Sequence, residues 1–146
     1  MANYCGFARS NYFRVKDLEA FRKAMEHCCV EIVHPEKRVK NKDGTCRFEK
    51  NMKLAGLLSN GEDGWSGGYC DEATGDAVEI DIPDIVAEHL KDGEVAIFQE
   101  IGHEKLRYLT GVAVAVNNRK ERVFVDIDEI YEKAEKLGKN ITECAG

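Results

Sequence analysis

Three polar residues near the middle of the second half carry side chains that can transfer protons. Glu100, His103 and Glu104 lie around Gly102, where we expect the chain to reverse direction between Gly102 and Lys105. Histidine beside a carboxylate is a common pair for general acid–base catalysis, because the pKa of imidazole lies near neutral pH. A solvated turn explains the same residues more simply. We therefore assign no catalytic residue, and an enzyme with a site near His103 is the last of three hypotheses.

A second group of residues matches the G-x-S-x-G pattern of serine hydrolases at 64–68, with Ser66 in the position of the nucleophile. Neither flank has the strand or the helix that this motif needs, so we predict instead an irregular glycine-rich loop over 59–76. Long loops of this kind are often functional. The candidate partner-binding residues of this loop are Glu62, Asp63, Trp65, Tyr69, Asp71 and Glu72. Trp65 has two alternative interpretations: an exposed position that binds a partner, or a position packed onto the core.

The first strand offers a third set of candidates. Residues 4–15 are strand formers, with Cys5, Phe7, Phe13 and Val15 on one apolar parity that Arg9 and Asn11 interrupt. The interruption predicts either a bulge or two polar side chains on an apolar face. Basic side chains here would suit an anionic ligand, or they would pair with carboxylates of the second half. The candidate ligand-binding residues are Arg9, Asn11, Tyr12, Arg14, Glu100 and His103.

The six cysteines and four histidines indicate neither a disulfide framework nor a metal site. The N-terminus lacks the pattern of a secretory signal, so we expect a cytoplasmic protein with reduced thiols. No pair of cysteines or histidines has the spacing of zinc ligands. We expect Cys5, Cys28 and Cys46 to be buried as small apolar residues. No cofactor and no metal are predicted, and no run of residues is apolar enough to span a membrane.

Charge is distributed very unevenly along the chain. The net charge is −6, but residues 1–53 hold 12 bases and 7 acids, whereas residues 54–146 hold 9 bases and 20 acids. The most acidic window, residues 54–104, contains 13 acids and a single base, Lys91. Such segregation predicts either an interaction surface or ion pairing between the two halves in the fold.

A basic hairpin is predicted at 36–53, around an Asn-Lys-Asp-Gly turn signal. Seven bases lie between Lys37 and Lys53. Asp43 and Glu49 dilute them, and aromatic residues are sparse, so a solvated hairpin is favoured over a nucleic-acid-binding one.

Apolar periodicity and turn residues predict the remaining elements. Helices are expected at 18–28, from Pro83 to Leu90, and at 127–137, the last with a capping box between Asp126 and Glu129. Alternating or continuous apolar runs predict strands at 30–33, 54–58, 77–81, 95–101, 106–116 and 122–125. Short turns favour antiparallel pairing. We predict one α+β domain over 1–146, with a largely antiparallel sheet of about seven strands and two longer helices and one short helix on one face.

Both ends of the chain also resemble a known group of proteins. The segments YCGFARSNYFRVKDLEAF, DGEVAIFQEIGHEKLRYLTGVAVAVN and DIDEIYEKA are similar to a family of small uncharacterised bacterial proteins carried on plasmids, phages and other mobile elements. The resemblance leaves 30–76 unmatched, and no activity or residue role transfers with it. It implies a context in which small acidic proteins bind and block host defence complexes, as anti-restriction and anti-CRISPR proteins do.

These observations lead to three hypotheses. The first is a non-enzymatic interaction protein that uses the acidic surface from Glu62 to Glu104 against another protein with a basic surface. The second is a domain that binds a small ligand or nucleic acid through the first strand and the basic hairpin. The third is the enzyme described above. The sequence does not determine the partner or the oligomeric state.

Overall fold

The structure is a computed structural model that describes residues 4–104 and 108–144. Within these residues the strands are β1 (Tyr4–Ser10), β2 (Val30–Val33), β3 (Glu36–Lys40), β4 (Cys46–Lys50), β5 (Gly56–Ser59), β6 (Gly68–Cys70), β7 (Ala77–Glu79), β8 (Val95–Glu104), β9 (Tyr108–Asn117) and β10 (Arg122–Asp126). The helices are α1 (Leu18–Ala24), α2 (Ile82–His89) and α3 (Ile130–Ala134), the last preceded by a single 3-10 turn at Ile127–Glu129.

Six strands form the main sheet in the order β10-β9-β8-β1-β5-β2, and every neighbouring pair is antiparallel. The predicted α+β class and antiparallel pairing are confirmed. The expected count of about seven strands in one sheet is wrong. Strands β3 and β4 form a separate two-stranded hairpin, as do β6 and β7, because each closes on itself through a short turn.

The core lies between one face of the main sheet and the two helices α1 and α2. Its members are apolar side chains at most 3% exposed, from the sheet, both helices and the connections between them: Phe13, Phe21, Met25, Cys28, Ala55, Leu57, Ile82, Val86, Ala87, Leu90, Ala96, Phe98 and Val116. We call the sheet face that they cover the helix face. Phe13 and Phe21 meet edge to face, with ring centroids 5.8 Å apart.

The opposite face of the sheet, which we call the outer face, is largely uncovered. Phe7 and Ile101 are each 64% exposed there, whereas Ala8 on the helix face is buried. The expectation that Phe7 shares a buried parity with Phe13 is therefore wrong. The parity changes at Asn11, where regular pairing of β1 ends: the Asn11 side chain donates to the Val95 carbonyl and accepts from the Ile97 N–H.

Three expected boundaries also differ. Helix α1 ends at Ala24 instead of residue 28, and Cys29 after it adopts a positive φ of 52°. Strand β8 runs through Gly102 to Glu104, so the expected reversal at Gly102 is wrong. The rest of that expectation, at Lys105, lies outside the described residues.

The last helix is shorter than predicted, although its capping box between Asp126 and Glu129 is confirmed. Its apolar stripe does not pack into the core, since Ile130 is 60% exposed and Leu137 is 92% exposed. Ile127 lies against Gly111, where an added Cβ would meet its side chain at 2.7 Å. The small residues of β9 were expected to allow a helix to approach the sheet. On the outer face, the structure instead places one side chain of the 3-10 turn, that of Ile127, against Gly111.

The two sheet faces predict opposite outcomes for two phenylalanines. Phe21→Ala removes a fully buried ring from the core and should lower the free energy of unfolding by about 3–5 kcal/mol. Phe7→Ala removes an exposed ring from the outer face and should change it by less than about 1 kcal/mol. Urea unfolding followed by circular dichroism checks both values. Equal losses in the two variants would show that the outer face is covered.

Candidate functional site

Glu100 links three parts of the chain on the helix face. One of its carboxylate oxygens accepts a hydrogen bond from the Tyr4 hydroxyl at 3.0 Å, and the other accepts from the Trp65 backbone N–H at 2.7 Å. Strand β1, strand β8 and the glycine loop are thereby joined. Gly64 adopts a φ of 78°, and a Cβ there would collide with the Glu100 carboxylate. A glycine is thus required where the loop approaches this side chain.

The surroundings of Tyr4, and Glu100 in particular, change the pKa of its phenol. Burial, the hydrogen bond to Glu100 and the negative charge of that carboxylate together raise the pKa of Tyr4 from 10.0 to about 12. The carboxylate keeps its bond only while the phenol is protonated. Glu100 therefore acts as an acceptor that holds the loop.

The two aromatic residues of the glycine loop pack against the domain. The Trp65 ring meets Phe98 of the core edge to face, with centroids 5.6 Å apart, and Tyr69 stacks on His27 at 4.5 Å. Of the two interpretations left open for Trp65, the structure shows the one in which it packs onto the core. The buried Trp65 Nε1 has no hydrogen-bond partner among the described residues.

The acidic residues of the same loop remain at the surface. The Glu62 carbonyl accepts from the Gly6 N–H, and Asp63 forms an isolated bridge with Gly6, which fixes the start of the loop beside β1. Asp71 closes the turn of the β6–β7 hairpin, since its carboxylate accepts from the Ala73 N–H at 2.9 Å. Glu72 is exposed in that turn. We call the segment from Glu62 to Glu79, with six acids and no base, the acidic segment.

The acids of α2 differ from those of the acidic segment because bases neutralise them. Lys120 Nζ lies 3.2 Å from Asp84 and 2.9 Å from Glu88, and Arg122 lies 2.8 Å from Asp81. These carboxylates raise the pKa of Lys120, mainly through the hydrogen bond that Lys120 donates to Glu88. Among the described residues, no acid of the acidic segment takes part in an ion pair. None of the described ion pairs joins residues 1–53 to residues 54–144. Ion pairing between the two halves, one of the two explanations of the charge asymmetry, is therefore not seen.

The structure does not gather the expected ligand-binding residues of the first strand into one site. Arg9 lies on the outer face, where it lines an open depression of about 370 Å³ with Phe7, Gln99 and Ile101. Asn11 is used in the backbone pairing described above. The Tyr12 ring covers Gly56, where an added Cβ would lie only 3.0 Å from the ring.

Arg14 is exposed and lies elsewhere, in a groove near Lys53 and Lys91. Its backbone N–H donates to the Glu94 carboxylate at 2.8 Å.

The acid–base group expected around Gly102 does not form. Glu100 and His103 are separated by three positions of one continuous strand, so their side chains leave opposite faces of the sheet. Glu100 accepts its two hydrogen bonds on the helix face. His103 pairs with Cys5 and Leu109, and its buried Nδ1 has no partner among the described residues.

The basic hairpin is confirmed as a structural element and projects from the domain. Strands β3 and β4 pair with each other alone, and most of their side chains are exposed. We call this hairpin the basic arm. On one of its faces Arg38 stands opposite Phe48, which is 68% exposed, and Lys40 stands opposite Cys46. On the other face Arg47 contacts Glu49 at 2.9 Å.

The cysteines are all free thiols. Cys28 is buried as expected, and burial raises its pKa. Cys5 is half-buried. The expectation for Cys46 is wrong, because it lies on the exposed basic arm. No group of three or more His, Cys, Asp or Glu side chains in the described part of the chain could hold a metal ion.

Sequence reasoning did not find the cluster of Lys120 and Arg122 with the acids of α2, nor the exposed edge of β10. The cluster joins residues about 36 positions apart, and only the order of the strands brings them together. A sequence signal for the edge did exist: Val123, Phe124 and Val125 are three successive apolar residues, where a half-buried strand would alternate.

Comparison of this chain with protein-family models, curated proteins and solved structures finds no match. No helix within residues 4–104 and 108–144 has the length and apolar character needed to cross a membrane.

The pKa of Tyr4 predicts how stability depends on alkaline pH. Because the folded pKa of about 12 exceeds the ordinary value of 10.0, the stabilising contribution of this phenol is complete below pH 10. It is lost as the pH rises from 10 to 12. Tyr4→Phe should remove this part of the pH dependence in urea unfolding. Absorbance titration should show one tyrosine fewer ionising near pH 12, and an unchanged titration would contradict the assignment.

Proposed function

We propose that this chain is a non-enzymatic interaction protein whose acidic segment binds a basic surface on another protein. The observation that carries the proposal is the difference between two sets of acids. Those of α2 are held by Lys120 and Arg122, whereas those of the acidic segment have no ion pair among the described residues. Carboxylates left without a base keep their attraction for an external one.

The acidic segment is also positioned for recognition. Its start is fixed beside β1 through Gly6 and through the Trp65 contacts with Phe98 and Glu100, and Tyr69 further along stacks on His27. The carboxylates therefore sit on an anchored loop and a hairpin, which reduces the entropy that binding must cost. An array of carboxylates of this kind can compete with a phosphate backbone for a basic groove.

The resemblance to proteins of mobile elements suggests which partners to test. Restriction enzymes and RNA-guided nucleases hold DNA in basic grooves, and a small acidic protein can occupy such a groove. We therefore propose an inhibitor of a host defence complex, of the anti-restriction or anti-CRISPR type.

Two matched variants test this proposal against a purified restriction endonuclease and a purified RNA-guided nuclease, both without DNA. The first, Asp63→Asn with Glu72→Gln and Glu79→Gln, neutralises unpaired acids. The second, Asp81→Asn with Asp84→Asn and Glu88→Gln, removes the same charge from paired acids. Binding should weaken by about tenfold or more in the first variant and much less in the second.

The salt dependence of the affinity tests the same interaction independently. Affinity of the unmodified chain should fall by about tenfold or more between about 50 mM and about 500 mM salt. Salt-independent binding, or equal losses in the two variants, would contradict an acidic recognition surface. Absence of binding to both nucleases would reject the defence-complex proposal.

A second candidate function is nucleic-acid binding through the basic arm. The specific observation is the face that carries Arg38, Lys40 and Phe48, where the two bases have no acid opposite them. An exposed aromatic ring between bases can stack on a nucleobase while the bases contact phosphates. The whole chain is acidic, so binding would depend on this arm alone.

The arm is tested with a fluorescent oligonucleotide, single-stranded and duplex, at several salt concentrations. Replacing Lys37, Arg38, Lys40 and Lys42 by Ala should abolish binding and retention on heparin. The matched control replaces four exposed bases outside the arm by Ala, namely Lys23, Lys133, Lys136 and Lys139. Each lost phosphate contact should lower the slope of log K against log salt by about 0.7–0.9. Equal losses in both variants would exclude the arm as the site.

A further inference from the structure

Strand β10 is an edge of the main sheet that lacks the usual protection. Its three central residues are apolar and exposed: Val123 by 69%, Phe124 by 56% and Val125 by 52%. Exposed edges in soluble proteins are normally blunted by proline, by bulges or by charged residues. The opposite edge, β2, has only four residues and is followed by Pro35. The contrast singles out β10 as the edge that is open to another strand.

The free hydrogen-bonding groups of β10 can be identified. The Asn117 N–H donates to the Glu121 carbonyl at 3.3 Å, so the backbone of residue 121 faces β9. Backbone groups alternate between the two sides of an antiparallel strand. Arg122, Phe124 and Asp126 therefore direct their N–H and C=O groups away from β9. The Asp126 N–H is already bonded to Glu129, and the Asp126 C=O accepts the first hydrogen bond of the 3-10 turn. The N–H and C=O groups of Arg122 and Phe124 remain, and these four have no partner among the described residues.

We propose that β10 pairs with β10 of a second copy of this chain, antiparallel about a two-fold axis at Phe124. The sequence of the strand, Arg-Val-Phe-Val-Asp, is self-complementary in that register. Arg122 of each copy stands opposite Asp126 of the other, Val123 opposite Val125, and Phe124 opposite itself. Phe124 and its copy would exchange two backbone hydrogen bonds.

The side chains also match on each face. Arg122, Phe124 and Asp126 project on the helix face, where Arg122 contacts α2, and the two valines project on the outer face. The pairing thus places base against acid and ring against ring on one face, and valine against valine on the other. Opposite-charge and apolar cross-strand pairs are the stabilising kinds.

Neighbouring registers are poorer. An axis at Val123 would set Arg122 against Phe124, and an axis at Val125 would set Phe124 against Asp126. The described residues 141–144 do not occupy this edge either, because the Cys144 N–H donates to the Tyr131 hydroxyl and holds this segment against α3. A closed two-fold pairing also removes the exposed edge from the assembly, and two-fold dimers are the commonest oligomers.

Sedimentation velocity over a concentration series tests the proposal on the full chain. A dimer is expected. Phe124→Pro removes one outward N–H and leaves the bonds to β9 intact, since proline is tolerated at such edge positions. It should yield a monomer with an unchanged circular dichroism spectrum. A charge exchange tests the register: Arg122→Asp and Asp126→Arg should each weaken dimerisation by about tenfold or more, and the double variant should restore it.

The double variant remains informative if Phe124→Pro fails to fold. The double variant still lacks the contact between Arg122 and Asp81 within one chain. If it dimerises again, the recovery therefore comes from the pair between residues 122 and 126 of the two chains. Arg119→Asp, in the turn outside the paired register, is the control and should leave the dimer intact. A chain that is monomeric at every concentration, or a double variant no better than the single ones, would overturn the proposal. The proposal would also be overturned by a dimer that dissociates at high salt but persists in Phe124→Pro. Such a dimer would be held by contacts between the basic arm of one chain and the acidic segment of the other.

Discussion

The structure depends on covering one face of a wide antiparallel sheet with very little helix. Helix α2 has eight residues and is about 12 Å long, whereas the ten residues of β8 extend over about 33 Å. Two short helices therefore cover only the end of the sheet that carries Ala96 and Phe98. Beyond them the helix face would be open at Glu100. The glycine loop closes this gap, because Trp65 packs on Phe98 while Glu100 binds the loop backbone. One carboxylate thus connects completion of the core with placement of the acidic segment.

The two charged hairpins lie outside this main sheet. Each closes on itself through a short turn, so neither contributes a strand to the main sheet. Within the basic arm Arg47 binds Glu49. The acids of the acidic segment have no ion pair among the described residues, whereas Lys120 and Arg122 bind the acids at α2. Among the described residues no ion pair joins the basic arm to the acidic segment, so neither surface neutralises the other through an ion pair.

Much of the fold was predictable because it is encoded locally. The alternation in β9, the turn residues around Asp43 and the capping box at Asp126 each specify an element within a few residues. Face assignment was less predictable. Phe7 was expected inside and is exposed, because the Asn11 side chain replaces backbone pairing and changes the parity of the chain beyond it. The last helix was expected to pack, but its stripe stays exposed, and the contact that the structure shows with the sheet is that of Ile127 with Gly111.

The candidate sites depended on contacts that no local pattern encodes. Glu100 and His103 looked like neighbours at a turn, yet continued pairing of β8 with β1 and β9 places them on opposite faces. The contact between Glu100 and Trp65 spans 35 residues. Its only sequence signal is Gly64, where a side chain would collide with the Glu100 carboxylate. At the edge strand β10, by contrast, a local sequence signal was present although it was not used. Val123, Phe124 and Val125 are all exposed on an edge strand between a base and an acid, and this combination favours pairing of the edge with a second chain.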